Sequence, residues 1–313
     1  MPPLPLLRLP GVVLSEVFKS LSIGEKIKLS LCSKKISSQI NNARLYSHKV
    51  IVNLSTLYHN IEVYAENKKD TFDIFNCSDS GTINNPYIQL HRIEGRAVPV
   101  ISIGEAITTF WKDCREGYLS VIRYLLKIFQ CKIAISNNCN SDLYQPTVSE
   151  LFDLQVAFKK LTIHFKGSND ENLFWKHISN KLGQVEDLTI LCTCDPDFRP
   201  VFTSWPQNID VLSSAWFTLE NLLECPCTTI TLWNSTLGNK DLDMILNNWK
   251  TGGFPNLKYL KIHSWEIRYN EATILDMKFR ELDGMVIQTD DGSKKATFKL
   301  GYQRIEMSVT LLQ

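Results

Sequence analysis

Residues 9–40 read LPGVVLSEVFKSLSIGEKIKLSLCSKKISSQI, and the spacing of their apolar side chains decides the N-terminal fold. Leu14, Val17, Phe18 and Leu21 recur at the i, i+3, i+4, i+7 spacing, which lines one face of an α-helix. Pro10 suits the start of such a helix, because the first turn has no intrahelical acceptor for the N–H that proline lacks. The pattern therefore predicts a first helix that begins near Pro10.

Two further short helices are predicted in the same segment. Ser22 and Glu25 can form a capping box, in which a hydroxyl and a carboxylate each satisfy an orphaned backbone donor. Ile27 and Leu31 then share the inner face of this second helix, and Ser33 can cap a third. So short a segment cannot enclose a large core. Some of its apolar surface must therefore be left over for another contact.

The segment resembles an F-box, the short three-helix motif that docks onto a Skp-type adaptor of cullin-based ubiquitin ligases. The residues that we expect to make this contact or to support it are Leu9, Pro10, Leu14, Val17, Phe18, Leu21, Ile27, Leu31 and Cys32. Helical spacing does not separate contact residues from supporting ones. The alternative is a helical cap that buries the same residues against its own chain. The resemblance implies a Skp-type adaptor, and through it a cullin, as partners.

The composition is that of a folded protein with nearly balanced charge. Hydrophobic residues make up 44% and charged residues 21% of the 313 residues, which excludes a disordered chain. Thirty-four basic and thirty-three acidic side chains give a formal net charge of +1. This balance predicts no strong attraction to nucleic acid or to anionic membranes.

The sequence also predicts a location inside the cell, in the cytoplasm, the nucleus or both. Several prolines and Arg8 interrupt the N-terminal apolar stretch, which therefore does not fit a signal peptide. No apolar run approaches the roughly eighteen residues that span a bilayer. The number of cysteines, nine, is odd, and thiols inside the cell stay reduced, so the count fits this location. We therefore expect no membrane partner.

Residues 47–113 are expected to form a β-rich connecting section. Polar and apolar residues alternate in short runs bounded by turn residues, which is typical of strands. The predicted strands are 48–54, 60–65, 71–75, 87–93 and 98–103. A hairpin turn is expected at 66–70 and a loop at 76–85. A clear apolar stripe then predicts a helix over 117–130.

Strands and helices alternate through much of the region 114–313. The predicted strands are 132–135, 161–165, 188–192, 209–212, 229–232 and 257–262. The predicted helices between them are 148–154, 172–182, 198–204, 216–223 and 241–249. The strand spacing of about 20 to 30 residues is in the range of leucine-rich repeats. After Leu282 the alternation predicts a β-hairpin plus one strand.

Residues 232–262, LWNSTLGNKDLDMILNNWKTGGFPNLKYLKI, resemble the type 2 F-box-associated domain found in a large nematode family of F-box proteins. The matching features include Asp241-Leu242, the helix end at Trp249 and Gly252-Gly253. The resemblance extends over about 184–264. Together with an F-box it implies the substrate-recognition subunit of a Skp–cullin–F-box E3 ubiquitin ligase, whose C-terminal region binds a target protein.

These observations predict an α+β chain in three parts. They are an F-box at 5–46, the β-rich section at 47–113, and a degenerate leucine-rich-repeat-like α/β domain at 114–313. The alternative function is a repeat-type protein-interaction scaffold without a role in ubiquitin ligation.

No motif predicts chemistry in this chain. Phosphate-binding, dinucleotide-binding, nucleophile-elbow and zinc-protease signatures are all absent from the sequence. Cys192 and Cys194, with Cys225 and Cys227, are the nearest metal candidate, but zinc favours two to four residues between paired cysteines and here there is one. His164, His177 and His263 are scattered over separate predicted repeats. We expect a non-catalytic adaptor without cofactor or metal.

Tryptophan is the residue type most open to a binding role. Aromatic side chains bury large areas, so most tryptophans are expected in the core. Tryptophan is also enriched in binding hot spots, and one or two exposed indoles would suit a target contact. The candidates are Trp175, Trp205, Trp216, Trp233, Trp249 and Trp265.

Overall fold

A computed structural model describes residues 8–42, 50–67, 69–78, 85–129, 131–135, 141–166, 168–192, 200–268 and 273–312. The chain divides into two compact units, Met1–Lys159 and Lys160–Gln313.

Helices and strands both contribute to the first unit. Its helices are α1 (Gly11–Ser20), α2 (Ile23–Cys32), α3 (Lys34–Asn42), α4 (Cys114–Phe129) and α5 (Tyr144–Asp153). Its strands are β1 (Val50–Ser55), β2 (Asn60–Ala65), β3 (Thr71–Ser78), β4 (Gln89–Ile93), β5 (Arg96–Ile103), β6 (Ala106–Trp111) and β7 (Lys132–Ile135). The helix predicted over 117–130 is therefore present as α4, and its start lies three residues earlier. Gln130 and residues 48–49 lie outside the described residues.

The strands of the first unit follow the order β7, β1, β2, β3, β6, β5, β4. β1, β2 and β3 form an antiparallel meander. The hairpin predicted with a turn at 66–70 is confirmed by the β2–β3 pairing, and Lys68 within the turn lies outside the described residues. β1 also pairs with β7, and β3 with β6, in parallel. β3 continues to Ser78, so the first part of the loop predicted at 76–85 is strand. Residues 79–84 lie outside the described part of the chain.

Strand β6 was not predicted from the sequence. Its buried positions are Ile107, Thr109 and Trp111, and a threonine at the central one hides the alternation of polar and apolar residues. The Thr109 hydroxyl donates to Asn76 Oδ1 at 2.8 Å and accepts from the Trp111 indole at 2.8 Å. A buried hydroxyl is tolerated in a core when its hydrogen bonds are made in this way.

The second unit continues from β8 (Phe158–Phe165), the strand in which the boundary between the units falls. Its helices are α6 (Asn169–Ile178), α7 (Leu219–Glu224) and α8 (Asn239–Lys250), with 3₁₀ turns at Leu182–Gln184 and Phe279–Leu282. Its further strands are β9 (Val185–Cys192), β10 (Asn208–Leu212), β11 (Thr229–Ser235), β12 (Tyr259–Ser264), β13 (Thr273–Ile274), β14 (Met277–Lys278), β15 (Val286–Gln288), β16 (Lys294–Gly301) and β17 (Arg304–Leu311).

Four consecutive strands of the second unit, β9 to β12, are neighbours and run parallel. Ile190, Val211, Leu232 and Ile262 lie side by side in this register, and all four are buried. On each strand, the residues directly before and after this buried one are half-buried and lie on the opposite face of the sheet. Apolar side chains of successive strands thus form one continuous core layer.

The C-terminal strands close this sheet as predicted. β17 pairs antiparallel with β12, β16 with β17, and β15 with β16. The hairpin plus one strand expected after Leu282 is confirmed.

One predicted helix, over 198–204, is wrong for the residues that the structure describes. Residues 200–204 are irregular, and 198–199 lie outside the described residues. The backbone of this segment forms a hydrogen bond with a distant residue instead of a helical one. The Ser204 amide donates to Ser179 O at 2.9 Å. Pro200 and Pro206 lack an N–H, and proline in a helix interior removes a hydrogen bond. The helix predicted over 216–223 is also shorter than expected, since α7 begins at Leu219.

In the described residues, no helix combines the length and the apolar character that crossing a membrane requires.

Candidate functional site

Helix α1 begins immediately after Pro10, which occupies the N-cap position with φ −55° and ψ 144°. The Leu14 amide donates to Pro10 O at 2.9 Å and closes the first turn. Leu14 and Phe18 form the buried side of α1, with 5% and 1% of their surface exposed. The helix ends at Ser20, so Leu21 lies one residue beyond it and is half-buried.

The capping box predicted for α2 is confirmed. The Glu25 amide donates to Ser22 Oγ at 3.2 Å, and the Ser22 amide donates to Glu25 Oε2 at 2.8 Å. Hydrogen bonds from the Ser22 backbone and side chain lower the pKa of the Glu25 carboxyl. The box fixes the start of α2, whose inner residues Ile27 and Leu31 are buried.

Helix α2 is mounted on the sheet of the first unit. The Ile23 amide donates to Asp70 Oδ2 at 2.8 Å, which ties the start of the helix to the β2–β3 turn. Gly24 lies so close to strand β3 that a Cβ there would overlap the Phe72 ring. Burial lowers the pKa of Lys26, which is 3% exposed, and the nearby Asp70 carboxylate opposes this effect. The absence of a side chain at Gly24 thus sets the distance between helix and sheet.

The C-terminal end of α2 is held by two more elements. Ser30 Oγ and the Tyr124 hydroxyl on α4 are 2.7 Å apart, and burial raises the pKa of Tyr124 to about 12. His91 Nδ1 on β4 lies 3.3 Å from Leu31 O. The second helix is therefore fixed at both ends to the part of the chain that follows it.

The nine residues expected at the adaptor contact divide into two groups by exposure. Leu14, Phe18, Ile27 and Leu31 are buried against their own chain. The accessible group is made up of Leu9, Pro10, Val17, Leu21 and Cys32, of which Pro10 and Cys32 are exposed and the others half-buried. The first group is therefore packed inside this chain, whereas the second retains accessible surface.

Two exposed residues of α1 were missed by the sequence analysis. Val12 has 79% and Val13 45% of its surface exposed, although both are β-branched hydrophobic residues. They are not among Leu14, Val17, Phe18 and Leu21, the residues that the i, i+3, i+4, i+7 spacing selected. Val13 and Val17 are four residues apart and therefore neighbours on the helix surface. We name Val12, Val13 and Val17 the α1 valine patch.

A groove of about 900 Å³ lies at the junction of α2 and α3 with β4 and α4. Cys32, Lys34 and Arg92 line it, together with Leu90, which is 71% exposed. Lys127 at its edge pairs with Glu94 at 2.8 Å. The lining of the groove thus combines apolar, basic and acidic side chains.

The cysteines provide no metal site within the described residues, among which no group of three or more His, Cys, Asp or Glu side chains is suitably placed. Cys225 and Cys227 are buried, and Cys227 Sγ donates to Pro206 O at 3.0 Å. The neighbouring Cys225 and burial raise the pKa of Cys227, which keeps it a thiol. Cys192 is also buried, and Cys194 lies outside the described residues.

The tryptophans differ widely in exposure. Trp175, Trp216 and Trp249 are buried, whereas Trp265 is 60% exposed and follows the end of β12. The half-buried pair is Trp205 and Trp233, of which Trp233 has the Lys261 ammonium 4.4 Å from its ring centroid. The histidines His164, His177 and His263 lie on three different elements, β8, α6 and β12.

Comparison with known proteins identifies two regions of the chain. Residues 6–48 match the F-box domain, and residues 201–262 match the family described as F-box associated. The first match contains α1 to α3, and the second runs from the irregular segment before β10 to β12. The predicted F-box and F-box-associated segment are therefore confirmed.

Two Caenorhabditis elegans proteins are similar over most of the chain. E3 ubiquitin-protein ligase hecw-1 is 24% identical over 300 residues, which is 86% of this chain and 23% of that protein. Uncharacterized protein F59B2.8 is 19% identical over 329 residues, which is 93% of this chain and 73% of that protein. The chain thus spans less than a quarter of the length of hecw-1. No solved structure matches.

The combination of an F-box with an F-box-associated domain is that of substrate-recognition adaptors of Skp–cullin–F-box ubiquitin ligases in general. Such adaptors are typically non-catalytic.

Proposed function

We propose that this chain, which carries an F-box at residues 6–48 and an F-box-associated domain at 201–262, is the substrate-recognition subunit of a Skp–cullin–F-box E3 ubiquitin ligase. Its N-terminal helices dock a Skp-type adaptor, and its C-terminal region binds a target protein. The observation that carries the proposal is the exposed apolar surface of α1 inside the F-box match. Exposed apolar patches with polar surroundings are typical of protein interaction sites.

The α1 valine patch belongs to a helical segment that packs on its own chain. Leu14 and Phe18 anchor α1 through their buried side chains, and α2 is held by Asp70 and Tyr124. A preformed surface loses little conformational entropy on binding, so apolar contacts contribute more fully to affinity. In this proposal Pro10, Val17 and Cys32 contact the adaptor, and Leu14, Phe18, Ile27 and Leu31 hold the contact residues in place.

The chain needs no catalytic group of its own in this role. A cullin bound through the adaptor brings the ubiquitin-transferring enzymes close to the held target. Tethering raises the effective concentration of target lysines near the reactive thioester. The partners are then proteins inside the cell, with neither nucleic acid nor a membrane among them.

The proposed target-binding region is a degenerate leucine-rich-repeat-like domain. The parallel register of β9 to β12, with α7 and α8 between successive strands, supports this assignment. In such an arrangement each strand and its connection stack on the next and bury a shared core. The half-buried face of the strands is left for contacts with a partner.

Co-purification with a Skp-type adaptor tests the proposal. We expect the full chain to retain the adaptor and a Val12→Asp/Val13→Asp variant to lose it, because two carboxylates then replace exposed apolar groups of the interface. Leu57→Asp is the matched control, since Leu57 is 50% exposed in the β1–β2 turn of the same unit. Thermal unfolding of each variant establishes that its fold is intact.

Two outcomes contradict the proposal. If the adaptor does not bind the full chain, the F-box is not a docking site and the chain is a repeat-type scaffold. If the adaptor binds the Val12→Asp/Val13→Asp variant as well as the Leu57→Asp variant, the contact does not involve α1.

A further inference from the structure

A small pocket with an aromatic wall and an acidic rim lies within the F-box-associated match. Its volume is about 230 Å³, and it is formed by residues of the segment before β10, of the connection between β10 and α7, and of α7 itself. The residues that matter for its chemistry are Phe202, Trp205, Trp216, Glu220 and Glu224. Pockets for drug-sized ligands begin at about 300 Å³, so this one fits a single side chain.

The aromatic wall is built around Phe202. The Trp205 ring stacks on Phe202 with a centroid distance of 4.2 Å and an interplanar angle of 4°. The ring of Trp216 is nearly parallel to that of Phe202, with a centroid distance of 6.3 Å and an interplanar angle of 12°. Phe202 and Trp205 are half-buried, so part of each ring surface remains accessible. Aromatic faces carry negative quadrupole potential and attract cations within about 6 Å of the ring centroid.

The acidic rim comes from Glu220 and Glu224. Both belong to α7 and are four residues apart, so they lie on the same side of the helix. Both are exposed, and the structure gives neither carboxylate a basic partner within the described residues. No Lys or Arg is among the described residues that line the pocket. The two exposed carboxylates give the rim its negative charge.

The third element is an indole N–H without an acceptor. Trp216 is 6% exposed and lines the pocket, and its Nε1 has no hydrogen-bond partner among the described residues. Buried donors in folded proteins nearly always have partners, so an unpaired one needs an explanation. A carbonyl group of a bound peptide would provide the missing acceptor.

We propose that this pocket binds a lysine or arginine side chain from a partner protein segment. The alkyl stem of that side chain packs against Phe202 and Trp205, and its cationic head lies between the rings and the two carboxylates. The Trp216 indole donates to a backbone carbonyl of the same segment. The identification of this segment as part of a ubiquitination target rests on the proposed function, whereas the chemistry of the pocket does not.

Peptide selection on the immobilised full chain tests this inference. Three libraries of short displayed peptides carry a central Lys, Arg or Gln with varied flanking residues. We expect the Lys and Arg libraries to yield binders and the Gln library to yield none at this pocket. For those binders a Glu220→Gln/Glu224→Gln variant should show about tenfold weaker affinity, since both rim charges are lost.

The matched control is Glu66→Gln/Glu105→Gln, which removes two exposed carboxylates in the first unit and gives the same change in net charge. This control should bind the selected peptides like the unaltered chain. A second variant, Trp205→Leu, should weaken binding without changing net charge. Binding of Lys and Arg peptides should also weaken as salt concentration rises, because exposed charges are screened.

The inference is overturned if no library yields binders, or if Gln peptides bind the pocket as well as Lys peptides do. Equal binding to the Glu220→Gln/Glu224→Gln variant and its control also overturns it. Adaptor co-purification is measured on the same variants and should be unaffected. If the unaltered chain does not retain the adaptor, only the ligase role is contradicted. If the chain shows no charge-dependent peptide binding, only the proposal for the pocket is contradicted.

Discussion

Phe18 and Val12 lie on the same helix but have opposite surroundings. Phe18 is 1% exposed and fills the interface below α1, whereas Val12 is 79% exposed. We predict that Phe18→Ala lowers the free energy of unfolding by about 3–5 kcal/mol, because it removes a buried ring and leaves a cavity. Urea denaturation followed by circular dichroism measures this change.

Val12→Ala is the comparison at the same scale. The free energy of unfolding should stay within about 0.5 kcal/mol of the unaltered chain, as is usual for exposed positions. A large loss of stability for Val12→Ala would mean that the valine is covered by the chain itself. The α1 valine patch would then not be available to an adaptor.

At the scale of elements, the turn between β15 and β16 depends on one carboxylate. Asp291 Oδ1 accepts from Thr289 Oγ1 at 2.6 Å and from the Ser293 amide at 2.9 Å. These hydrogen bonds, with that of Thr289 the strongest cause, lower the pKa of Asp291 from 3.8 to about 2. We predict that Thr289→Val moves this pKa back towards 3.8, as measured by NMR titration.

The sign of the pH effect follows from the direction of this shift. Because the pKa is lower in the folded chain, the carboxylate favours folding above its unfolded pKa, and this contribution disappears as the pH falls through about 2. The Thr289→Val variant should therefore lose less stability than the unaltered chain between pH 4 and pH 2. An unchanged Asp291 pKa in Thr289→Val would show that Thr289 is not the cause.

Local patterns predicted the elements whose causes are local. The Ser22–Glu25 capping box and the α4 stripe depend on residues within one or two turns, and both were predicted from spacing alone. The helix over 198–204 was wrong because the Ser204 amide bonds to Ser179, far away in the sequence. Strand β6 was missed because Thr109 occupies a core position, and its partner Asn76 is distant too.

The candidate site was predictable to a similar extent. Helical spacing selected Leu14 and Phe18 correctly as one face of α1, but exposure depends on what the chain places against that face. Val12 and Val13 are not part of the predicted apolar stripe, and only the structure shows that both are exposed. The rim formed by Glu220 and Glu224 needed the position of Phe202 and Trp205, which no spacing rule provides.

At the scale of the whole molecule, the F-box helices depend on the unit that contains them. α2 is tied to Asp70 and packs on Phe72, and α3 packs against α4. We predict that an isolated fragment of residues 8–50 shows weak helical circular dichroism and no cooperative thermal transition, whereas the full chain shows both. Chains of about 40 residues rarely enclose a sufficient core.

A cooperative transition in the fragment would contradict this dependence and would make the F-box an autonomous domain. The strand order of the first unit explains why sequence reasoning could not reach this conclusion. β3 pairs in parallel with β6 across a long connection, and β1 with β7 across a longer one. Such pairings depend on packing between distant segments, for which a single sequence contains no direct signal.

The end of the second unit's sheet has a consequence for solubility. In the described part of the chain β15 pairs with a strand on one side only, and it is three residues long. An open strand edge is a template on which other chains aggregate, and brevity is one of the ways in which proteins limit this hazard. Asp290 and Asp291 lie just beyond Thr289, the residue that follows this strand, and both are exposed, so repulsion between their charges opposes the stacking of two such edges. Lengthening this strand with apolar residues would therefore make its open edge a site of aggregation.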